Sequence, residues 1–353
     1  NAMIRLNMYG WNDRLNQLKQ ESAYNTLSHG RIAIVHRTCY EVVSDSGLYQ
    51  CELTGNMMYG KSDFELPCTG DWVLFQSFDD SKGIIVGMLP RERTLYRKKN
   101  GTVAGKQAIA SYVDKAFIVQ SLDDNFNMRR VERFMVQILE ENIHPVLILN
   151  KADLPFDKQD TEEAIRHLTR RMPVFFTSIH HPETVSRLRD SISEGETVVF
   201  VGSSGVGKSS LVNALCERSV LLTSDISQST GKGRHTSTRR EMVLMDGSGV
   251  LIDTPGIREF GLTVDNPDSL AEMLEISNYA ESCRFKDCTH TNEPGCAVLE
   301  AVAEGSLDIK VYESYLKLKR EAWHFSASEH EKRKKEKSFT KLVEEVKRRK
   351  ADS

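Results

Sequence analysis

The 353-residue chain lacks a long apolar stretch: none approaches the roughly 20 residues that a helix needs to cross a lipid bilayer. The N-terminus also lacks the basic and then apolar pattern of a secretion signal. Membrane insertion and export are therefore not expected. We expect the protein to work in the cytoplasm, without a membrane partner.

Cysteine is sparse, and its count of seven is odd. Without an export signal, this favours reduced thiols over a disulfide framework, with metal binding where thiols cluster. The net charge is only −3, so the overall charge balance does not indicate a nucleic-acid partner. The length suits two or three domains, and the chain has no internal repeat.

The N-terminal part of the chain carries short β-type segments with no helical pattern between them. Turn residues bound five such segments: Arg31–His36, Tyr40–Val43, Leu48–Leu53, Asp71–Phe75 and Gly83–Gly87. This pattern predicts a small closed barrel, and the oligonucleotide-binding (OB) barrel is the five-stranded candidate. An SH3-like barrel or another small β module remains open.

Beyond residue 110, unbroken apolar runs alternate with helical stretches such as Met128–Glu141 and Thr161–Arg171. Apolar strands between helices indicate a mostly parallel sheet covered on both faces. Further helical stretches follow at Ser269–Asn278, at Ala297–Ala303 and from Ile309. The sequence therefore predicts a multidomain α/β protein with a barrel in residues 3–108, an α/β domain in 109–262 and a helical domain in 263–353.

A glycine-rich segment, Gly202-Ser-Ser-Gly-Val-Gly-Lys-Ser209, matches the phosphate-binding loop G-x-x-x-x-G-K-[ST] at every fixed position. An apolar strand pattern precedes it and a helical pattern follows. Backbone N–H groups would hold phosphate oxygens, Lys208 would neutralise phosphate charge and Ser209 would bind Mg²⁺. The predicted nucleotide contacts in this loop are Gly202, Ser203, Ser204, Gly205, Val206, Gly207, Lys208, Ser209 and Ser210.

A phosphate-binding loop does not by itself select a base. The motif Asn150-Lys-Ala-Asp153 follows a predicted strand, so it would lie at a strand's carboxyl end, where α/β proteins bind ligands. The Asp153 carboxylate can accept two hydrogen bonds from guanine, whereas adenine would leave it poorly paired. Asn150 would bond the base edge and help to hold the loops together, and the stem of Lys151 would pack over the base. Thr177 and Ser178, after the next strand, would add backbone contacts.

Two further segments fit the parts of a GTPase that respond to the γ-phosphate. Asp253-Thr-Pro-Gly256 follows a predicted strand, so Asp253 could reach Mg²⁺ through water and the Gly256 amide could reach the γ-phosphate. The polar, glycine-rich segment 231–238 lies between this motif and the phosphate-binding loop. Its Thr236 or Ser237 could join the Mg²⁺ shell, and a flexible surface loop is the alternative.

Four possible metal ligands lie close together in the C-terminal part: Cys283, Cys288, His290 and Cys296. Three thiolates and an imidazole favour tetrahedral Zn²⁺, and four protein ligands without an open position indicate a structural site. The polar sequence around them would otherwise expose three thiols. We therefore expect one structural zinc ion that stabilises helices with little apolar surface.

The guanine motif precedes the phosphate-binding loop, which reverses the usual GTPase order and indicates a circular permutation. With these motifs, and with Gly233-Arg-His-Thr236, the chain resembles the ribosome small-subunit-dependent GTPase A family. These are circularly permuted bacterial GTPases that act in 30S maturation. The resemblance implies an OB-type barrel, a permuted P-loop GTPase domain and a zinc-binding helical domain. It also implies binding to the 30S subunit, which stimulates GTP hydrolysis.

Basic residues cluster near the end of the predicted barrel, at Arg91, Arg93, Arg97, Lys98 and Lys99, and again beyond Glu329. Such patches suggest contacts with nucleic-acid phosphates, although a solvated helix face is the alternative for the tail. With the family resemblance, the expected partners are the 30S subunit and its 16S ribosomal RNA, beside GTP and GDP. We expect a monomer.

Ile257 follows the Asp-x-x-Gly motif, at the position where many GTPases have a glutamine that orients the attacking water. Isoleucine cannot hydrogen-bond water, so we expect slow hydrolysis by the isolated protein. His235 is the candidate substitute, since an imidazole can hydrogen-bond water near neutral pH. The predicted catalytic set is Lys208, His235, Thr236, Ser237, Asp253 and Gly256.

Two other functions stay open. The chain could be a nucleotide-gated RNA-binding module in which turnover is incidental. It could also be a metabolic P-loop kinase, but the guanine motif and the lack of an evident acceptor pocket argue against that function.

Overall fold

The chain divides into two compact units, Asn1–Gly261 and Leu262–Ser353. Within them, the computed structural model describes residues 4–59, 61–62, 64–79, 81–98, 106–123, 126–166, 168–169, 171–216, 241–253 and 275–326. No helix in these ranges is both long enough and apolar enough to cross a membrane.

The N-terminal part of the first unit is a closed five-stranded barrel. Its strands are β1 (Ser28–Val35), β2 (Tyr40–Ser44), β3 (Gly47–Leu53), β4 (Trp72–Ser77) and β5 (Lys82–Met88). Hydrogen bonds join them in the order β1-β2-β3-β5-β4, and pairing of β1 with β4 closes the barrel. Side chains that point inward from alternate positions, among them Ile32, Val42 and Phe75, form its core. The predicted OB-type barrel is confirmed.

Short elements flank the barrel. A 3-10 helix (Leu6–Tyr9) and helix α1 (Asp13–Glu21) precede it, and helix α2 (Gly55–Met58) lies between β3 and β4. After the barrel, β6 (Leu95–Lys98) and β7 (Lys106–Ala110) form an antiparallel hairpin. The sequence analysis did not predict this hairpin, because its two strands show no regular alternation of apolar and polar residues.

The rest of the first unit is the predicted α/β domain. Its elements are β8 (Lys115–Ser121), α3 (Met128–Glu140), β9 (His144–Asn150), α4 (Lys158–Ile165), β10 (Val174–Thr177), α5 (Pro182–Asp190), β11 (Thr197–Val201), α6 (Lys208–Cys216), β12 (Glu241–Leu244) and β13 (Val250–Asp253). The strands lie in the order β10-β9-β8-β11-β13-β12, and only β12 runs antiparallel to its neighbour among these pairings. Apolar side chains such as Phe117, Val198 and Leu251 form the core on the sheet.

Helix α4 ends earlier than the sequence analysis predicted. It stops at Ile165 instead of Arg171. The amide of Leu168 donates a hydrogen bond to the Ile165 carbonyl at 2.8 Å, which turns the chain and buries the Leu168 side chain. The periodic pattern alone would have continued the helix to Arg171.

The barrel and the α/β domain share one sheet. Strand β12 pairs with β1 at Glu241 and Ile34, so the described strands of both parts form an eleven-stranded sheet. Hydrogen bonds between paired strands join backbone groups, so this pairing does not depend on particular side chains. The barrel is therefore attached to the edge of the α/β sheet by its own first strand.

The second unit is helical where it is described. It contains α7 (Ser277–Ala280), α8 (Ala297–Ala303) and α9 (Ile309–Ser326). The last two helices begin where the sequence analysis placed them. Of the predicted stretch Ser269–Asn278, residues 269–274 lie outside the described residues.

Arg31, in strand β1, is fully buried although it carries a charge. Its guanidinium donates hydrogen bonds to the carbonyls of Tyr9, Gly70, Ser111 and Tyr112 and to the hydroxyl of Thr197. Burial lowers the pKa of Arg31 to about 10, so the group stays protonated at neutral pH. A buried charge is tolerated when it is fully hydrogen-bonded. The network therefore holds the barrel against Thr197, the first residue of β11.

We expect Arg31→Met to lower the free energy of unfolding of the first unit by about 3 kcal/mol, because several buried oxygens lose their donors. Urea unfolding followed by tryptophan fluorescence would measure this as a lower midpoint. The control Arg37→Met changes an exposed arginine between β1 and β2 and should leave the midpoint unchanged. Equal midpoints for the two variants would contradict the role of Arg31.

Candidate functional site

The predicted nucleotide motifs meet at one edge of the α/β sheet. Strands β9, β10, β11 and β13 are connected through parallel pairings, with β8 between β9 and β11, so their carboxyl ends lie at the same edge. Asn150 ends β9, Thr177 ends β10, Gly202 follows β11 and Asp253 ends β13. Open α/β sheets bind ligands at this edge.

The phosphate-binding loop has the backbone that its glycines allow. Gly207 has a φ of +92°, and a Cβ there would lie 2.3 Å from Nδ2 of Asn150. Gly202 has a φ of +147°, and a Cβ there would lie 2.4 Å from the Val119 carbonyl oxygen. A larger residue would therefore be both strained and blocked at either position. The sequence match thus corresponds to real steric limits in the fold.

Lys208 folds over its own loop. Its ammonium group donates to the carbonyl of Gly202 at 2.7 Å and to the carbonyl of Ser203 at 2.6 Å. Helix α6 begins at Lys208, so the positive end of the helix dipole points into the same loop. The arrangement concentrates positive charge and backbone N–H groups where an anion would bind.

Asn150 joins the guanine motif to the phosphate-binding loop. Its side chain is 3% exposed. Nδ2 donates to the Val206 carbonyl at 2.9 Å, and Oδ1 accepts a hydrogen bond from the Thr177 hydroxyl at 3.0 Å. One amide therefore holds together the loops that follow β9, β10 and β11, as the sequence analysis predicted.

The Asp153 carboxylate is exposed and oriented by a neighbour. The Ser178 hydroxyl donates to Oδ1 at 2.5 Å, and this hydrogen bond is the main reason that the pKa of Asp153 is lowered. The carboxylate is therefore ionised at neutral pH, as an acceptor for two N–H groups must be. Lys151 has a φ of +61°, and its ammonium group contacts Asp123 at 2.7 Å.

Several predicted site residues are not covered by this geometry. His235, Thr236, Ser237, Gly256 and Ile257 lie outside the described residues. Ser209 lies in the first turn of α6, and Asp253 is half-buried at the end of β13.

Sequence analysis missed one residue that contacts the phosphate-binding loop. Arg130, in the first turn of α3, donates from Nη1 to the Ser203 hydroxyl at 2.9 Å. No motif marks this arginine, since it reaches the loop from a helix that is distant in the sequence. Only the packing of α3 beside β8 brings the two together.

Comparison with known proteins agrees with these features. The family model described as RsgA GTPase matches residues 88–263. A Bacteroides thetaiotaomicron protein named small ribosomal subunit biogenesis GTPase RsgA 1 is 75% identical over 352 residues, which are 100% of this chain and 99% of that protein. A Methanosarcina acetivorans protein named small ribosomal subunit biogenesis GTPase RsgA is 40% identical over 88% of this chain and 84% of its own length.

The chain belongs to the RsgA GTPase family. The resemblance predicted from the motifs and the enzyme class GTPase are therefore confirmed. The crystal structure of YloQ, a circularly permuted GTPase, matches with a TM-score of 0.63 and 26% identity over 87% of this chain and 98% of YloQ. YjeQ from Thermotoga maritima matches with a TM-score of 0.63 and 24% identity over 85% of this chain and 99% of its own, which shows the shared fold. The predicted circular permutation is thus confirmed.

The second unit of this RsgA-family chain contains a group that could hold a metal ion. The ligand atoms of Cys283, Cys288, His290 and Cys296 all lie within 4.8 Å of one another. Sγ of Cys283 is 3.9 Å from Sγ of Cys296, and each of these sulfurs is 3.6 Å from Nδ1 of His290. A tetrahedral ion with thiolate and imidazole ligands needs about 3.8 Å between sulfurs and about 3.5 Å between sulfur and nitrogen. The donors and their spacing therefore fit such an ion.

The surroundings of this cluster hold its ligands in place. Helix α8 begins directly after Cys296. The Tyr312 hydroxyl, from α9, donates to the His290 carbonyl at 2.6 Å. Desolvation raises the pKa of Cys288 to about 12 and lowers the pKa of His290. The Cys288 thiol would therefore stay protonated without a cation to compensate its thiolate charge.

The structure argues against one of the predicted RNA contacts. Arg91 forms an ion pair with the buried Asp71 at 2.7 Å and also donates to the carbonyls of Phe64 and Leu66. Burial opposes the charge, but hydrogen bonds to Asp71 outweigh it and raise the pKa of Arg91. Since its guanidinium is used within the barrel, the prediction that Arg91 binds RNA is corrected to a structural role.

The other predicted basic contacts differ in their surroundings. Arg93 is partly buried and lies near two acidic groups, at 3.4 Å from Glu92 and 3.3 Å from Asp114. Arg97 is exposed on the β6–β7 hairpin, where Nε donates to Oε1 of Gln107 at 3.0 Å. Lys98 ends β6, and Lys99 lies outside the described residues. Arg97 is thus the predicted arginine that is best placed for an external phosphate.

If Asp153 reads guanine, Asp153→Asn should raise the Kd for GTP roughly 10- to 100-fold, because hydrogen bonds to a charged acceptor are lost. The Kd for ATP should hardly change, so the preference for GTP should shrink. Fluorescent-nucleotide titration would measure both values. The control Asp157→Asn retains a cap for α4, since asparagine also accepts from the helix N–H groups. An unchanged GTP preference in Asp153→Asn would show that the motif is wrongly assigned.

Proposed function

We propose that this RsgA-family GTPase hydrolyses GTP during biogenesis of the small ribosomal subunit, and that the 30S subunit stimulates hydrolysis. The observation that carries the proposal is the contact between Asn150 and Val206, which unites the guanine motif and the phosphate-binding loop in one site. The 75% identical Bacteroides relative is named for this process. GTP, GDP and the 30S subunit are therefore the proposed partners.

The proposed nucleotide contacts follow from the geometry of the sheet edge. Asp153 accepts from the guanine edge, while Ser178 keeps its carboxylate oriented and Thr177 keeps Asn150 in place. The backbone of residues 202–207, together with Lys208, binds the phosphates. Mg²⁺ bound with GTP would be held by the Ser209 hydroxyl and, through water, by the Asp253 carboxylate. Ser210 continues the first turn of α6.

In the proposed mechanism, another residue orients the attacking water, because Ile257 cannot hydrogen-bond it. Lys208 and loop amides, including that of Gly256, would stabilise charge on the transferred phosphoryl group, and bound Mg²⁺ would supply further positive charge. None of these orients the attacking water, so we assign that role to His235, with Thr236 or Ser237 completing the Mg²⁺ shell. We expect the 30S subunit to bring His235 into position.

We assign zinc to the cluster in the second unit. Three cysteine sulfurs and one histidine nitrogen are the ligand set of many structural zinc sites. All four positions are taken by protein groups, so this ion would stabilise the helical unit and take no part in hydrolysis.

We propose a separate role for each of three parts of the chain. Residues 3–108 bind ribosomal RNA, residues 109–262 bind and hydrolyse GTP, and residues 263–353 form the zinc-binding domain. Arg97, Lys98 and Lys99, on or next to the β6–β7 hairpin, are the proposed contacts with 16S rRNA phosphates. We propose that the protein acts as a monomer in the cytoplasm, where ribosomal subunits mature.

Turnover of GTP with and without purified 30S subunits tests the proposed function. We expect slow hydrolysis alone and strong stimulation by the subunit. His235→Ala should remove most of the stimulated rate while GTP affinity and 30S binding stay near those of the parent protein. The control His144→Ala changes an exposed histidine at the opposite end of β9 and should be stimulated normally. If 30S subunits fail to stimulate the parent protein, the proposed function is wrong.

Metal removal tests the zinc assignment. We expect about one zinc ion per chain, and chelation should melt the second unit, since structural zinc contributes on the order of 10 kcal/mol in small domains. Cys288→Ser should lose the metal and unfold at a lower temperature in differential scanning calorimetry. The control Cys39→Ser changes a half-buried thiol of the barrel and should keep the metal. Purified protein without zinc would refute the assignment.

A further inference from the structure

Helix α3 contacts both the phosphate-binding loop and the β6–β7 hairpin. At one end, Arg130 donates to the Ser203 hydroxyl at 2.9 Å. Two turns further along, Gln137 donates from Nε2 to the Tyr96 carbonyl of β6 at 3.1 Å. Residues seven apart lie on the same side of a helix, separated by about 10 Å along its axis. One side of α3 therefore spans from the nucleotide motif to the hairpin.

At the phosphate-binding loop, Ser203 accepts two hydrogen bonds, one on its hydroxyl and one on its carbonyl. Ser203 receives the Arg130 guanidinium on its side chain, and its carbonyl accepts from Lys208 at 2.6 Å. Lys208 is the residue expected to bind the phosphates. A small displacement of Arg130 would therefore act on the backbone that positions Lys208.

The contact at the hairpin involves a buried side chain. Gln137 is 2% exposed, and its amide nitrogen donates to a backbone oxygen of the half-buried Tyr96. Tyr96 lies next to Arg97 in β6, and its ring stacks on Phe64 of the barrel with centroids 5.1 Å apart. The hairpin is thus fixed to the barrel on one side and to α3 on the other.

Helix α3 has the properties of a rigid connection. The Asn127 side chain caps it by accepting from the Arg130 amide at 3.2 Å. Val131, Phe134, Met135 and Ile138 are buried, and the helix packs against β8 and β9. A capped and packed helix moves as a body, so displacement at one end reaches the other.

We propose that α3 transmits RNA binding at the hairpin to the phosphate-binding loop, with Gln137 and Arg130 as positioning residues for stimulated hydrolysis. This inference rests on the proposed function, because it explains how the subunit acts on the nucleotide site. Binding of RNA phosphates at Arg97 displaces β6. The hydrogen bond from Gln137 to Tyr96 couples this displacement to α3, and the hydrogen bond from Arg130 to the Ser203 hydroxyl couples α3 to the phosphate-binding loop. This coupling through α3 needs no direct contact between RNA and nucleotide.

The first test compares GTP turnover of full-length Gln137→Met and Gln159→Met, with and without 30S subunits. Methionine retains the length of glutamine but cannot donate to the Tyr96 carbonyl. We expect Gln137→Met to lose stimulated kcat roughly five-fold, the equivalent of one neutral hydrogen bond. Basal turnover, KM for GTP and 30S affinity should stay at parent values. Gln159 is exposed on α4, so its variant is a control for the substitution.

The outcomes separate this inference from the proposed function. Equal stimulation of the two variants overturns the role of α3 and leaves the proposed function standing. Absence of stimulation in the parent protein overturns both. A parallel fall in basal and stimulated turnover of Gln137→Met shows a merely structural role and also overturns the inference.

Two further measurements distinguish transmission from simple stabilisation. Arg130→Met combined with Gln137→Met should reduce stimulation no more than the stronger single variant does, because both residues act in one path. Losses that add up in the double variant would contradict a shared path.

Coupling is also reciprocal, so a non-hydrolysable GTP analogue should slow amide exchange of β6 in the parent protein. Unchanged exchange in β6 overturns the inference without use of any variant.

Discussion

Hydrogen bonding between parallel strands is the constraint on which the candidate nucleotide site depends. Asn150 at the end of β9 pairs with Ser121 of β8, and β8 in turn pairs with β11, which leads to Gly202. This ladder brings the guanine motif and the phosphate-binding loop to one edge, whichever comes first in the chain. Circular permutation therefore changes the connections and leaves the site intact.

The other end of β11 is fixed just as firmly. The Thr197 amide donates to Asp114 at 2.7 Å, and its hydroxyl accepts from Arg31 at 2.8 Å. A glycine-rich loop has little stiffness of its own. The strand before the phosphate-binding loop and the helix after it must therefore fix the position of the loop. The buried Arg31 of the barrel helps to fix that strand through Thr197. The barrel thus belongs to the framework of the nucleotide site as well as to the proposed RNA surface.

Local patterns made much of this structure predictable. The barrel strands have apolar runs bounded by turns, and the residues of the phosphate-binding loop are contiguous in the sequence. Arg91 was misjudged because its partner Asp71 is distant in the sequence, and a basic cluster looks the same whether it faces RNA or a buried carboxylate. Arg130 and Gln137 escaped notice for the same reason. Their contacts exist only through the packing of α3.

The permuted order also determines which part of the chain follows the Asp253 motif. After Asp253 ends β13, the chain continues toward the second unit, and β12, which follows segment 231–238, pairs with barrel strand β1. In the usual order, the chain after the Asp-x-x-Gly motif would continue within the GTPase domain itself. Strand β12 therefore joins the sheet that carries the nucleotide motifs directly to the barrel.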